Sequence, residues 1–428
     1  MKHPASTTRR DFLAASAVTA AGAALSALAP NAHAAGGDTL RVGLIGCGGR
    51  GTGAATQALH ADPNVQLVAM GDVFKDRALA SLDQIRKDEE IAAKVQVKPE
   101  HVFDGFDAYK GVLAAGVDVV LLTTPPHFRP LHLAAAVAAG KHVFAEKPVA
   151  VDAPGVRSVL KTCAEARKKN LALVSGLCWR YDHGMRATFQ EIHDGAVGDI
   201  VALQCTYNAG GLWHIDRQPG WSDMEWQCRN WLYFTWLSGD HNVEQHIHSL
   251  DKMAWVLKDE YPVKAVGLGG RQSRTQPEFG HIFDHHSVVY DYPNGVKVFS
   301  NCRQQNGCAN DVSDHVFGTR GTCDVMKHVI KGPGGKKLWQ YSGGRGDMYQ
   351  NEHNELIASI RAGKPINNGD YMTRSTLMAI MGRMATYTGK VITWEQALNS
   401  QEDLTPPKYE FGPLPVPPVA VPGVTKFS

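Results

Sequence analysis

Leu40-Arg41-Val42-Gly43-Leu44-Ile45 reads as a short buried strand, and it passes without a spacer into Gly46-Cys47-Gly48-Gly49-Arg50-Gly51. A small-residue helix is predicted to follow, from about Thr52 to His60. A second apolar strand then runs from Val65 to Met70 and ends at Asp72. Few folds accept this order of parts. Gly46 suits a tight turn, Gly48 lets the backbone come close to a pyrophosphate, and Gly51 allows the helix to press on the strand. The helix N-terminus offers free N–H groups to phosphate oxygens. An acid about 20 residues further on can accept hydrogen bonds from the adenosine ribose. The segment therefore reads as a dinucleotide site of the nicotinamide type, held by Gly46, Cys47, Gly48, Gly49, Arg50, Gly51 and Asp72.

The same rhythm continues. Val117–Leu122 is a near-continuous apolar run, as expected of a parallel strand buried on both faces. It ends in Thr123-Thr124-Pro125-Pro126-His127 and is followed by a helix around Leu131 to Ala139. His142–Ala145 is the next strand and ends at Glu146-Lys147-Pro148. A helix near Ala153–Lys168 leads to a last strand at Leu171–Ser175. Ligands of such doubly wound sheets bind at the carboxyl ends of the strands, which adds Thr123, Thr124, Pro125, His127, Glu146 and Lys147 to the expected cofactor contacts.

Beyond residue 175 the pattern changes to alternation. Val201, Leu203, Cys205 and Tyr207 fall on one face of a half-buried strand, and Ser287–Tyr292 and Val296–Asn301 flank a Pro293-Asn294-Gly295 hairpin signal. The expected architecture is an α/β Rossmann domain over residues 35–175. An α+β domain with a mostly antiparallel sheet follows over 176–403, including a late helix at Met372–Tyr387. A Pro-rich arm occupies 404–428. Residues 1–34 carry Thr8-Arg9-Arg10-Asp11-Phe12-Leu13, an Ala-rich apolar run and Ala32-His33-Ala34. This is the pattern of a twin-arginine signal with an A-x-A cleavage site, so the expected partner is the twin-arginine export machinery and the expected location periplasmic or otherwise exported. No membrane anchor is expected after cleavage. The net charge of +2, with no basic block interleaved with aromatics, argues against a nucleic-acid partner. The 8 cysteines form no C-x-x-C pair. Cys302 and Cys308 could bridge, but free thiols are the expectation.

Two segments carry the chemistry. Glu146-Lys147-Pro148 stands where the nicotinamide end of a dinucleotide would lie. Asp240-His241-Asn242-Val243-Glu244-Gln245-His246-Ile247-His248, continuing to Asp251, puts Glu244 and His248 on one face if it is a helix. Oxidising an alcohol requires removal of its hydroxyl proton as hydride leaves the same carbon. A histidine of near-neutral pKa does this, and a positioned lysine can hold the oxygen. Lys147 and His248 are the expected catalytic pair, with Glu244 orienting the histidine or a substrate hydroxyl. Arg180 and Tyr181, after the crossover strand, and His241, His246 and His285 are expected to face substrate. A metal held by His241, His246, His248 and Glu244 is not expected, because H-E-x-x-H is absent and His246 and His248 are two apart. Trp213–Trp236 is rich in aromatics that suit either a sugar face or a packed contact.

These stretches resemble the Gfo/Idh/MocA family, the glucose–fructose oxidoreductase and inositol dehydrogenase group. The resemblance rests on the glycine turn, Asp72 with Arg77, Thr124-Pro125-Pro126-His127, Glu146-Lys147-Pro148, Gly195-Ala196-Val197-Gly198-Asp199-Ile200 and the His-x-x-Asp of His248 and Asp251. It covers the chain between the signal and the Pro-rich arm. It implies that Lys147 is the family lysine and His248 its histidine, and that Glu244 stands where the family commonly has aspartate. The implied activity is hydride transfer between a sugar, glycoside or polyol and a tightly bound cofactor. NAD is expected over NADP because Asp72 would repel a 2′-phosphate, although Lys75 and Arg77 could receive one. Two alternatives stay open: a redox-neutral glycoside hydrolase that oxidises a ring hydroxyl transiently, and a non-catalytic sugar-binding protein. A homo-oligomer, dimer or tetramer, is expected.

Overall fold

The structure, a computed structural model, describes residues 38–344 and 346–428. The expected twin-arginine segment and cleavage site lie outside the described residues.

The first domain is a parallel sheet of six strands in the order β3-β2-β1-β4-β5-β6. The strands are β1 (Leu40–Ile45), β2 (Val65–Asp72), β3 (Val102–Asp104), β4 (Val119–Leu122), β5 (His142–Ala145) and β6 (Leu173–Ser175). β4 is buried at all four positions, as its unbroken apolar run requires when helices cover both faces. The chain order reverses between β1 and β4, which opens a crevice at their carboxyl ends. The helix Ala153–Lys168 begins where the sequence placed it. Asp152 caps its N-terminus by accepting from the Gly155 N–H. The helix after β4 starts two residues earlier than expected, at Arg129, behind a short 3-10 turn at Pro126–Phe128.

The second domain carries nine strands in the order β14-β13-β12-β11-β7-β10-β9-β8-β15. They are β7 (Ile200–Ala209), β8 (Lys264–Gly270), β9 (His285–Asp291), β10 (Lys297–Gln304), β11 (Asp311–Gly318), β12 (Thr322–Asp324), β13 (Val329–Lys331), β14 (Lys337–Gln340) and β15 (Ile392–Thr393). Neighbours are antiparallel except β7 and β10, which run parallel. The hairpin at Pro293-Asn294-Gly295 is present, with Gly295 in the left-handed region at φ +84°. Helices Ile247–Val256 and Gly369–Thr388 cover one face of the sheet. The longer helix ends at Gly389, again left-handed, at φ +69°.

Two long-range features were not legible beforehand. Helix Met348–Arg361, placed by sequence within the second domain, packs instead on the first. Its Leu356, Ile357 and Ile360 join Leu40, Leu44, Leu59 and Val174 in one core. A further apolar cluster joins Phe74 and Phe128 of the first domain to Met224, Trp226, Cys228, Phe234 and Trp236 of the second. The aromatic stretch is therefore mainly interdomain packing, although Trp213 is exposed. All 8 cysteines are free, so Cys302 and Cys308 are not bridged.

Candidate functional site

The glycine turn has the shape its sequence demands. Gly46 sits at φ +98°, where an L side chain is strained. A Cβ at Gly51 would come within 2.0 Å of the Gly46 carbonyl oxygen, so the helix can approach the strand only with glycine there. A Cβ at Gly48 or Gly49 would meet nothing within 4 Å. The start of helix Gly49–His60 thus faces free space with no side chain capping it, which fits a pyrophosphate bridging its N–H groups. Thr123 closes the turn from behind by donating to the Gly46 carbonyl at 2.5 Å. Thr124 pairs with His132 at 3.4 Å.

Asp72 ends β2 at the crevice. Its carboxylate accepts from the Cys47 N–H at 2.7 Å and the Phe74 N–H at 2.9 Å. Burial raises its pKa above the ordinary carboxylate value, opposed by Arg77. A cleft opens here, lined among others by Asp72, Arg77, Phe106, Thr124, Pro125 and Phe128. Its aromatic walls and single acid suit an adenosine. Lys75 turns toward Asp104 at 3.7 Å, which leaves Arg77 as the cation lining this space. His127 is buried and shares a hydrogen bond of 2.8 Å with the Tyr409 hydroxyl; burial pushes its pKa down to about 4.

The far end of the crevice is charged. The Lys147–Pro148 peptide bond is cis. Lys147 Nζ donates to the Glu244 carbonyl oxygen at 2.6 Å and to Glu244 Oε1 at 2.8 Å. The carboxylate of the second segment therefore meets the lysine of the first, as the two-segment reading requires. The expected continuous helix does not form. His241–Glu244 is one short helix, Gln245 and His246 break it, and Ile247–Val256 is the next. His248 lies in the first turn of the second helix, half-buried, with Nδ1 unpartnered. Burial, followed by the charges of Lys147, Lys252 and Arg50, holds its pKa well below the ordinary value. The imidazole is neutral and can accept a proton, but it is not the near-neutral titrating group expected from sequence.

Beneath the lysine is an ion network that sequence reading missed. Arg50 leaves the glycine turn to donate to Glu146, to Glu352 at 3.0 Å and to Gln57 at 2.9 Å. Burial alone would raise Glu146, but Arg50, Arg129 and Lys147 together hold its pKa low. Glu352, buried beside Glu146, is pushed well above the ordinary carboxyl value. The two carboxyls share Arg50, and the cations around Glu146 favour negative charge there over Glu352. The Arg50 side chain braces the site from below, and only its backbone remains for a phosphate. No local signal marks Glu352, which is 302 residues from Arg50.

Several expected substrate contacts are occupied elsewhere. Arg180 is buried and pairs with Asp251 at 2.9 Å and Asp259 at 2.6 Å while stacking on Tyr371. The Tyr181 hydroxyl donates to Asn368 at 2.8 Å. His246 is fully buried against Ser300 at 2.7 Å. His285 pairs with Asp284 at 2.8 Å at the start of β9. Local pattern showed these as polar residues near the right strands, but the fold gives each a protein partner.

His241 joins Asp240 and His286 in the one three-residue group among the described residues whose ligand atoms could converge on an ion, within 4.8 Å. Its chemistry is that of a hydrogen-bonded network instead. The Asp240 carboxylate accepts from the Phe283 N–H and the Tyr387 hydroxyl and pairs with His241 Nδ1 at 2.7 Å. The Arg274 guanidinium lies 3.5 Å from that same Nδ1, where it would repel a dication. The metal set weighed from sequence is not assembled, since His246 faces Ser300 and Glu244 faces Lys147.

Residues 40–174 match the family model GFO_IDH_MocA, described as "Oxidoreductase family, NAD-binding Rossmann fold". The chain is 27% identical over 270 residues to an inositol 2-dehydrogenase of Serratia proteamaculans, covering 62% of this chain and 68% of that one. It is 28% identical over 290 residues to inositol 2-dehydrogenase 3 of Saccharopolyspora erythraea, covering 66% and 72% respectively. Among solved structures, myo-inositol 2-dehydrogenase of Lactobacillus plantarum superposes with a TM-score of 0.63 at 20% identity, over 83% of this chain and 99% of the other. That likeness concerns the fold: a Rossmann sheet followed by a mostly antiparallel one.

Proposed function

We propose, on the premise that this chain is an NAD-binding oxidoreductase of the Gfo/Idh/MocA family, that it oxidises a secondary carbinol of a cyclic polyol, sugar or glycoside. The observation that carries this reading is the meeting of Lys147 and Glu244 in the crevice, with a neutral His248 four residues further on. NAD, when bound, supplies the hydride acceptor. Lys147 Nζ, released from Glu244 by substrate, holds the carbinol oxygen and stabilises negative charge as the O–H proton departs. His248, a neutral imidazole that already has its lone pair free, takes that proton as general base. Glu244 accepts from a neighbouring hydroxyl, which favours substrates with vicinal hydroxyls. As a glutamate it reaches further than the aspartate expected of the family, so the ring it selects should sit slightly farther from the main chain.

NAD is preferred to NADP, because the buried Asp72 carboxylate would face a 2′-phosphate. Arg77 lines the same space and would oppose this preference. The twin-arginine pattern at Arg9 and Arg10 supports export of the folded protein with its cofactor aboard, through the twin-arginine machinery. The apolar residues Val266, Leu268 and Phe299 stand exposed on β8 and β10, which supports a homo-oligomer formed through that sheet.

The test is direct. Purified protein is denatured and the released nucleotide identified by mass; NAD is expected, and release of no dinucleotide overturns the reading. Oxidation of inositols and of aldoses is then followed by NADH absorbance. A redox-neutral hydrolase is distinguished by several turnovers of aglycone release from a chromogenic glycoside without added NAD.

A further inference from the structure

We propose that the Pro-rich arm, residues 404–428, is a strap that keeps the dinucleotide in its crevice, so that the cofactor leaves only after the strap lifts. The inference rests on the NAD reading above. Both feet of the arm are anchored. The Leu404 N–H donates to Asp152 at 3.0 Å, and the Ser428 carbonyl returns to accept from the Gln401 N–H at 3.2 Å. Between the feet the chain packs on the aromatic residues that wall the adenosine end of the crevice. The Tyr409 ring lies 5.9 Å from Phe106 and 5.8 Å from Phe128, both of which line the free space, while its hydroxyl meets His127. Phe411 stacks on Phe74 at 5.7 Å with the rings 8° apart.

The arm then bonds to the second domain. The Met224 N–H donates to the Gly412 carbonyl at 3.1 Å, and Gln227 Nε2 donates to the Leu414 carbonyl at 2.7 Å. It therefore bridges both walls of the crevice. The exposure pattern is that of a detachable cover. Tyr409 and Phe411 are 38% and 46% exposed, each with one face outward, whereas Phe74 and Phe128 beneath them are 4% and 8% exposed. Seven prolines stiffen the arm, which lowers the entropy lost when it lies flat. A cover held by two rings and a few hydrogen bonds slows exchange without abolishing it.

The test is a chase on the full-length protein. Radiolabelled NAD is loaded, excess unlabelled NAD is added, and retained label is followed on filters. The double variant Tyr409→Ala/Phe411→Ala is expected to release label roughly tenfold faster than the wild type. Tyr409→Phe removes only a hydroxyl and cannot unfold the chain; it is expected to speed release roughly twofold. Equal release from wild type and both variants overturns the strap. Failure of the wild type to retain label although calorimetry shows that it binds NAD overturns the strap alone; no NAD binding by any of the proteins overturns the NAD reading and the strap with it.

Discussion

The two ends of the crevice are built from opposite materials. The adenosine end is apolar and aromatic: Phe74, Phe106 and Phe128 surround one buried acid, Asp72, and the chain's own arm lies across them. The nicotinamide end is ionic, with Lys147 on Glu244 and Arg50 between Glu146 and Glu352. Affinity and chemistry are thereby separated. Burial of flat apolar surface holds a nucleotide whatever its redox state. Proton transfer instead needs charges fixed before the reaction starts, in a site from which water is largely excluded. One end can be altered with little effect on the other.

Acid is the broadest way to break the contrast, because it forces charge into the apolar regions. His127 and His132 at the adenosine rim have pKa values near 4 and near 3, and His241, His246 and His281 in the second domain lie near 4, 3 and 4. Burial depresses all five. The unfolded chain binds these protons at about pH 6.5, so stability is highest above that value, falls progressively as pH drops below it, and the loss is complete once pH passes the folded values near 4 and 3. Each histidine adds roughly 1.4 kcal/mol per pH unit to the slope within its window. Denaturant titrations at pH 7, 6, 5 and 4.5 should show a steepening loss of stability, and a flat profile would contradict the buried neutral state.

At the ionic end, Lys147→Met should lower turnover roughly 10³-fold while NAD binding, measured calorimetrically, stays close to wild type. Retained turnover would remove the lysine from the mechanism. Arg50→Met leaves two carboxyls facing each other without their cation. Because Arg50 is 31% exposed, the expected loss is about 3 kcal/mol, the low end for a broken buried pair, read from denaturant unfolding at pH 7. The phosphate turn is the sterically strictest part. In Gly51→Ala the new methyl would lie 2.0 Å from the Gly46 carbonyl oxygen, a backbone atom that cannot swing aside, so overpacking should cost about 3 kcal/mol, the top of the usual range, together with weaker NAD binding. A variant that kept NAD affinity but lost stability would assign Gly51 to packing alone.

The legible parts of the site share one property: their partners are close in sequence or set by strand ends. The turn from Gly46 to Gly51, Asp72 at the end of β2 and Lys147 after β5 all follow from strand-then-turn grammar. The second segment was found by residue type, and Glu244 does meet Lys147, yet its helix breaks at Gln245 and His246. The break matters because it leaves His248 in the first turn of a new helix instead of one turn above Glu244. Arg180, Tyr181, His246 and His285 show where such grammar stops. A polar residue near a crevice looks the same in sequence whether it meets a ligand or a buried aspartate.

By itself the sequence settled the strand–helix alternation of the first domain, the turn that can cradle a pyrophosphate, and which lysine and which carboxylate stand at the crevice, since each depends on backbone geometry within a few residues. Only the tertiary structure decided which charges are compensated, that His248 is held neutral, and that residues 404–428 pack on Phe74, Phe106 and Phe128. Those outcomes depend on desolvation and on contacts between segments hundreds of residues apart, such as Arg50 with Glu352 and His127 with Tyr409. Electrostatic energy in a buried site is a property of everything that surrounds it, and no single stretch of chain contains that information.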